Sequence, residues 1–313
     1  MKQPKPIKRF RFAPSPNGAM HFGHAYSALL NVVVAKAVGG EFIIRMEDID
    51  QIRCKKEFSD AFINDMFKIG VYSEFEIMYQ SKRGNAYKTA IDKLLKIGVL
   101  YPCLATRGDI KQFYKQEPKQ YDPDGALLYP MLYKGKTEVE KQRIIDGQQP
   151  YALRLDMKMA VEIIRQKGAD LKFLSVDIDA HSIRQVEFDP MVWGDVVLAR
   201  KDIATSYHLS VVVDDAAQNI THIIRGEDLN EATYIHRILQ ILLDLPKIVY
   251  YHHRLILDKD LKKLAKSNDS AAVKMWLEQN REVKYFSDLL KRFNISELSD
   301  IVKNILCDSY EKK

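Results

Sequence analysis

The run Lys8-Arg-Phe-Arg-Phe-Ala-Pro14 stops at a Pro-Ser-Pro-Asn-Gly turn ending at Gly18. His21-Phe-Gly-His24 follows, and then His24–Val38, an apolar segment with helical spacing. The order is strand, tight loop, helix. That junction leaves free backbone N–H groups at the positive end of the helix dipole, which suits phosphate. His21 and His24 can donate hydrogen bonds to phosphate oxygens, and Gly23 lets a flat base approach the backbone. Two histidines at a helix start are more often incidental, so the junction needs support from the rest of the chain.

The support begins with alternation. Glu41–Glu47 reads as a buried strand, and Lys55–Ile69 and Lys82–Ile97 as amphipathic helices. Strands alternating with helices point to an α/β fold with a parallel sheet. Residues 101–195 break this rhythm. They hold a Pro/Gly/Asp-rich stretch, Glu117–Gly135, and one strand candidate, Tyr151–Met157, and read as an insertion. The α/β pattern resumes with Asp195–Arg200, Ser206–Asp215 and Ile220–Asp228. A helix over Glu231–Leu243 and a strand near Ile248–Tyr251 follow, and from about residue 270 the chain reads as helical with mixed charge.

Composition sets outer limits. The 313 residues are 46% hydrophobic and 29% charged, which excludes a disordered or fibrous chain. A net charge of +6 permits an anionic partner without demanding one. Cys54, Cys103 and Cys307 share no short spacing, so neither a disulfide framework nor an all-cysteine zinc cluster is expected. No apolar run is long enough to span a bilayer. The expectation is a soluble, cytoplasmic protein without a membrane partner.

A second motif, Lys263-Leu-Ala-Lys266-Ser267, lies in a polar stretch after the last strand. Lysines on a loop can close over a polyphosphate and neutralise charge as it is transferred. Alone, such a run is usually a solvated face.

Taken together and in this order, the two motifs resemble the HIGH and KMSKS signatures of class I aminoacyl-tRNA synthetases. The segments RFAPSPNG, RMEDID (Arg45–Asp50), SYHLSVVVDD and THIIRGEDL resemble the glutamyl-tRNA synthetase family over nearly all of residues 7–270. The resemblance implies a Rossmann-like nucleotide-binding parallel sheet with an inserted α+β domain and a short helical C-terminal segment. Residues 1–100 and 196–260 would form the two halves of the catalytic domain. Residues 101–195 would form an acceptor-binding-type insertion, and 261–313 the KMSKS-type loop and C-terminal segment. It also implies glutamate activation by ATP, with Mg2+ accompanying the nucleotide.

Carried over residue by residue, the motifs place His21, His24, Lys263 and Lys266 in catalysis. His21, Gly23, His24 and Lys266 would contact ATP. Arg11 and Arg225 would meet the glutamate carboxylates, which suits the bidentate arginine fork. Glu47 would take the ammonium, Tyr207 would donate a hydrogen bond, and Phe12, Ala13, Pro14 and Ser15 would complete the wall.

Within the family the chain is most similar to the short glutamyl-Q tRNA(Asp) synthetase branch. Only residues 268–313 follow Ser267, and Ser267-Asn268-Asp269-Ser270 stands where longer members have a basic residue and a glycine. That branch transfers glutamate to queuosine in the anticodon stem-loop of tRNA(Asp), and the partner set would be L-glutamate, ATP and that RNA, with the enzyme a monomer. The alternatives are a shortened glutamyl-tRNA synthetase charging a tRNA 3′ end, and a catalytically idle binding paralogue. Tyr121, Tyr129 and Tyr133 can stack on unpaired bases, but local packing is the simpler role.

Two departures stand out. Relatives bind zinc in the insertion through a Cys-x-Cys pair and a Tyr-x-x-x-Cys. Here Ala105 and Tyr133 replace two cysteines and leave Cys103 and Tyr129, so no structural zinc is expected. In the second motif Ala265 replaces a serine and both lysines remain.

Overall fold

The computed structural model describes residues 7–200, 205–255, 273, 288, 290–291 and 294–308. The strand–loop–helix start is present as β1 (Arg9–Phe12) and α1 (Phe22–Ala37), followed by β2 (Glu41–Met46), α2 (Lys56–Lys68) and β3 (Met78–Tyr79). These strands form a parallel sheet in the order β1-β2-β3. Then come α3 (Gly84–Ile97), β4 (Leu100–Cys103), α4 (Arg107–Phe113), α5 (Glu138–Asp146), β5 (Ala152–Leu155) and α6 (Met157–Gln166). The chain continues through β6 (Lys172–Asp177), β7 (Ser182–Glu187), β8 (Val197–Arg200), α7 (Tyr207–Ala217) and β9 (His222–Gly226). It ends on α8 (Ala232–Leu242), β10 (Val249–His253) and α9 (Ile295–Asp308).

A second sheet has the order β7-β6-β10-β9, with β10 parallel to both β6 and β9. The two sheets meet at Thr221, whose amide donates to the Arg9 carbonyl at 3.1 Å. The buried Asn31 of α1 secures the junction by donating to the Ile224 carbonyl at 3.0 Å. Parallel pairing buries both faces. On one side Leu29, Leu30 and Val34 of α1 pack with Phe10, Ile44 and the α9 residues Val302 and Leu306. On the other, Ile223, Ile248 and Tyr250 form a layer under which α3, α6, α7 and α8 share their own apolar cluster.

Sheet membership crosses the boundaries expected for the insertion. The hairpin β6–β7 falls inside 101–195, yet it extends the parallel sheet through β10. β8, expected to begin the second catalytic half, instead closes a small antiparallel sheet, β4-β5-β8. Hydrogen-bond partners, not position along the chain, decide where these strands go. Most of 261–313, including Lys263 and Lys266, lies outside the described residues.

Ser206–Asp215 is helical. Ser206 caps α7 by accepting from the Leu209 amide, and the run of valines faces two layers, so Leu209, Val211 and Val212 are all buried. Among the described residues, no helix is long and apolar enough to cross a membrane.

Candidate active site

The C-terminal ends of β1, β2 and β9 point to one side of the sheet, the position where open α/β sheets bind ligands. A cavity of about 740 Å³ opens there. It is lined by every described residue expected at the site: Arg11, Phe12, Ala13, Pro14, Ser15, His21, Gly23, His24, Glu47, Tyr207 and Arg225. Residues more than 200 positions apart in sequence thus share one wall because their strands are neighbours.

The histidine motif forms a reciprocal cap. His21 is the N-cap of α1 and its Nδ1 accepts from the His24 amide at 3.2 Å; His24 Nδ1 accepts from the His21 amide at 3.4 Å. The rings stack with centroids 3.5 Å apart. This explains why α1 begins two residues earlier than its apolar spacing indicates. With Nδ1 accepting in both neutral rings, the proton resides on Nε2, which becomes the donor for an anionic oxygen. A Cβ at Gly23 would meet the His21 ring at 3.1 Å, so the ring, rather than an open face, occupies that space.

Behind the cavity runs a buried ionic chain. Asp215 Oδ1 accepts from Arg11 Nε at 3.2 Å and from Arg45 Nη1 at 2.7 Å, and Arg45 Nη2 donates to Glu47 at 3.1 Å. The Arg45 side chain is 0% exposed. Burial alone would raise the Asp215 carboxyl, but the Arg45 and Arg11 charges hold it below its usual range. For Glu47 burial wins and its pKa rises, against the pull of Arg45 and Arg11. Arg11 spends only Nε on Asp215. Its two terminal nitrogens have no hydrogen-bond partner among the described residues and line the cavity.

Arg225 differs. Its Nε donates to His252 Nε2 at 3.2 Å, and Nη1 meets His236 Nδ1 at 3.2 Å and the Tyr207 hydroxyl at 3.4 Å. Nη2 donates to the Leu229 carbonyl at 3.0 Å and to Thr233 Oγ1 at 2.7 Å. All five N–H donors are engaged. The contact to Tyr207 is the longest, so a carboxylate enters most easily there. The Tyr207 hydroxyl accepts from Arg225 and keeps its own proton to donate.

Sequence reading missed Arg45, Asp215, His236 and His252. Arg45 stands between Ile44 and Met46, a charge inside an apolar strand, and Asp215 follows a run of valines and Asp214, which together hint at a buried pair. The two histidines carry no comparable signal.

In the insertion, Cys103 Sγ donates to the Tyr129 hydroxyl at 3.3 Å, and that oxygen accepts from the Tyr133 amide at 2.8 Å. The Arg154 guanidinium lies 3.7 Å over the Tyr129 ring. Tyr129 is buried and so packs rather than stacks on a base, whereas Tyr121 is exposed. Among the described residues no group of three or more His, Cys, Asp or Glu side chains is placed to hold a metal. One thiolate and one phenol would leave zinc mostly hydrated. Elemental analysis of protein purified without a metal-affinity tag is expected to give far less than one zinc per chain. A ratio near one that survives dialysis against a chelator would show that other ligands complete a site.

The sequence matches the family of class I tRNA synthetases (E and Q), catalytic domain, over residues 8–300. A glutamyl-Q tRNA(Asp) synthetase from Rhodobacter capsulatus is 40% identical over 265 residues, covering 84% of this chain and 92% of that protein. Its counterpart from Leptothrix cholodnii is 35% identical over 265 residues, covering 85% and 84%. The solved glutamate-tRNA synthetase of Elizabethkingia anophelis superposes with a TM-score of 0.66 at 25% identity, covering 83% of this chain and 53% of that one. The chain thus spans about half the length of that solved relative. A cap of two histidines on the first helix, two buried arginines on the cavity wall and a matched catalytic domain lead to one assignment: the chain belongs to the class I aminoacyl-tRNA synthetases of the glutamate and glutamine branch, ligases by type.

Proposed function

We propose that this protein activates L-glutamate with ATP and transfers the glutamate to queuosine in the anticodon stem-loop of tRNA(Asp). The observation that carries this reading is the single cavity in which Arg11, Arg225, Tyr207 and Glu47 face the His21–His24 cap. Two cationic groups and one carboxylate complement the two carboxylates and one ammonium of glutamate. The relatives' names supply the acceptor, because the sites of the activation step are common to both acceptors.

In the first step a glutamate α-carboxylate oxygen attacks the α-phosphorus of ATP. The bond to the bridging oxygen breaks and pyrophosphate leaves. The protein supplies position and charge. Arg11 offers its two terminal nitrogens to one carboxylate, and Arg225 Nη1 with the Tyr207 hydroxyl meets the other. Glu47 accepts from the ammonium. His21 and His24 donate from Nε2 to phosphate oxygens at the N-terminus of α1, and Lys263 and Lys266 steady the leaving pyrophosphate. Mg2+ is assigned only as the counter-ion of ATP, since no described carboxylate cluster is placed to bind it. In the second step a hydroxyl of the acceptor attacks the carbonyl of the mixed anhydride and AMP leaves. The anhydride is already activated, so no separate protein nucleophile is required.

ATP–pyrophosphate exchange tests the activation step. Exchange with glutamate is expected without any tRNA, and glutamine should be slower by about 10²-fold or more. The amide cannot accept two charge-assisted bonds, and its NH₂ opposes an arginine donor. Exchange that starts only when tRNA is added would favour a 3′-end-charging enzyme. Comparable rates with glutamine would overturn the pocket assignment.

A further inference from the structure

Arg225 is only 4% exposed, and among the described residues no carboxylate lies within ion-pair distance of it. Arg11 and Arg45, equally buried, share Asp215. An isolated buried charge is costly unless something compensates it. Neutral acceptors fix the Arg225 fork instead: two imidazoles, one hydroxyl, one phenol and one carbonyl. They satisfy the geometry of every N–H without cancelling the charge.

We infer that His236 and His252 are specificity-determining positioning residues: they hold Arg225 rigid with neutral acceptors so that its charge is reserved for a carboxylate of the substrate. With the side-chain carboxylate assigned to Arg225 and the α-carboxylate to Arg11, an acid in either place would orient the fork equally well but would neutralise it, and the pocket would lose its preference for an acidic side chain. The hydrogen bonds fix both tautomers. His236 accepts at Nδ1, which leaves its Nε2 proton for His208 Nδ1 at 3.4 Å. His252 accepts at Nε2, so its proton is on Nδ1. Burial, reinforced by the Arg225 charge, lowers the pKa of His208, His236 and His252, which keeps all three rings uncharged. Tyr250 closes the back of the cage, its ring centroid 5.3 Å from the guanidinium carbon.

This inference rests on the reading that the cavity takes glutamate, and isosteric pairs isolate the charge. Asn places an acceptor near the position of a histidine Nδ1, and Gln near that of Nε2. The test therefore compares His236→Asn with His236→Asp, and His252→Gln with His252→Glu. Glutamate and glutamine KM and kcat are measured by exchange, glutamate binding by calorimetry, and folding by the thermal midpoint.

The neutral variants should keep glutamate KM within about threefold of the unaltered protein. The acidic variants should raise it at least tenfold and shrink the glutamate-over-glutamine ratio by a similar factor, with kcat for glutamate changed far less. A purely structural role would move both members of a pair alike. Equal KM and equal selectivity within both pairs would overturn the inference. If one pair fails to fold, the other still decides. Glutamate binding without exchange in the unaltered protein would overturn the proposed reaction and leave calorimetry to judge the cage. No glutamate binding at all would overturn both.

Discussion

Asp215→Ala is expected to lower stability by about 3–5 kcal/mol, the cost of leaving a buried charge without its partner. Asp215 is the shared acceptor of Arg11 and Arg45, with 3% side-chain exposure beside 5% and 0% for the two arginines. Removing it leaves two buried guanidiniums with one acid, Glu47, near both of them. Asp215→Asn keeps the shape and one acceptor and should cost less. Denaturant titrations at pH 7 give the ordering unaltered > Asn > Ala. A loss below about 1 kcal/mol for Ala would mean that water or a rearranged side chain replaces the carboxylate. The same carboxyl gives a pH signature. Its folded pKa is depressed, so its stabilisation is complete above the unfolded value of about 3.9 and fades as pH falls through the lower folded value. The stability gap between unaltered protein and Asp215→Asn should therefore narrow progressively as pH falls below about 4.

Lys266→Ala should cut the rate of glutamate activation by roughly 10²–10³, by analogy with loss of one preorganised donor to developing charge. Lys266 lies outside the described residues, and its role rests on the family motif it completes. A lysine that meets phosphate mainly in the transition state changes kcat and leaves glutamate KM nearly constant. A large rise in KM with unchanged kcat would mean equal binding of ground and transition states, and the assigned role would be wrong.

Short-range features of this fold were readable before the structure. β1, α1, β2 and α8 follow from alternation and spacing, because each has local apolar neighbours at the period of its own secondary structure. The β6–β7 hairpin was not readable. Its strand β6, Lys172–Asp177, mixes buried and half-buried residues without strict alternation and is charged at both ends, so its strand character shows only when β10 pairs with it. β8 presents the reverse case. Its apolar residues fit a parallel strand as well as an antiparallel one, and only the position of β5 decides. Likewise, the cavity wall from Arg11 to Arg225 could be named from motifs, since motif residues carry their chemistry with them. The cage around Arg225 could not. His236 lies on α8 and His252 on β10, and nothing local distinguishes a histidine that accepts from an arginine from one that merely packs.

The acceptor is the point on which the proposed reaction differs from 3′-end charging. Radiolabelled glutamate, ATP and total tRNA from a queuosine-making bacterium, followed by nuclease digestion and mapping of the label, separate the two outcomes. Label on the modified wobble nucleoside of tRNA(Asp), absent from tRNA lacking queuosine, is the predicted result. Label on the 3′-terminal adenosine of any tRNA would contradict it.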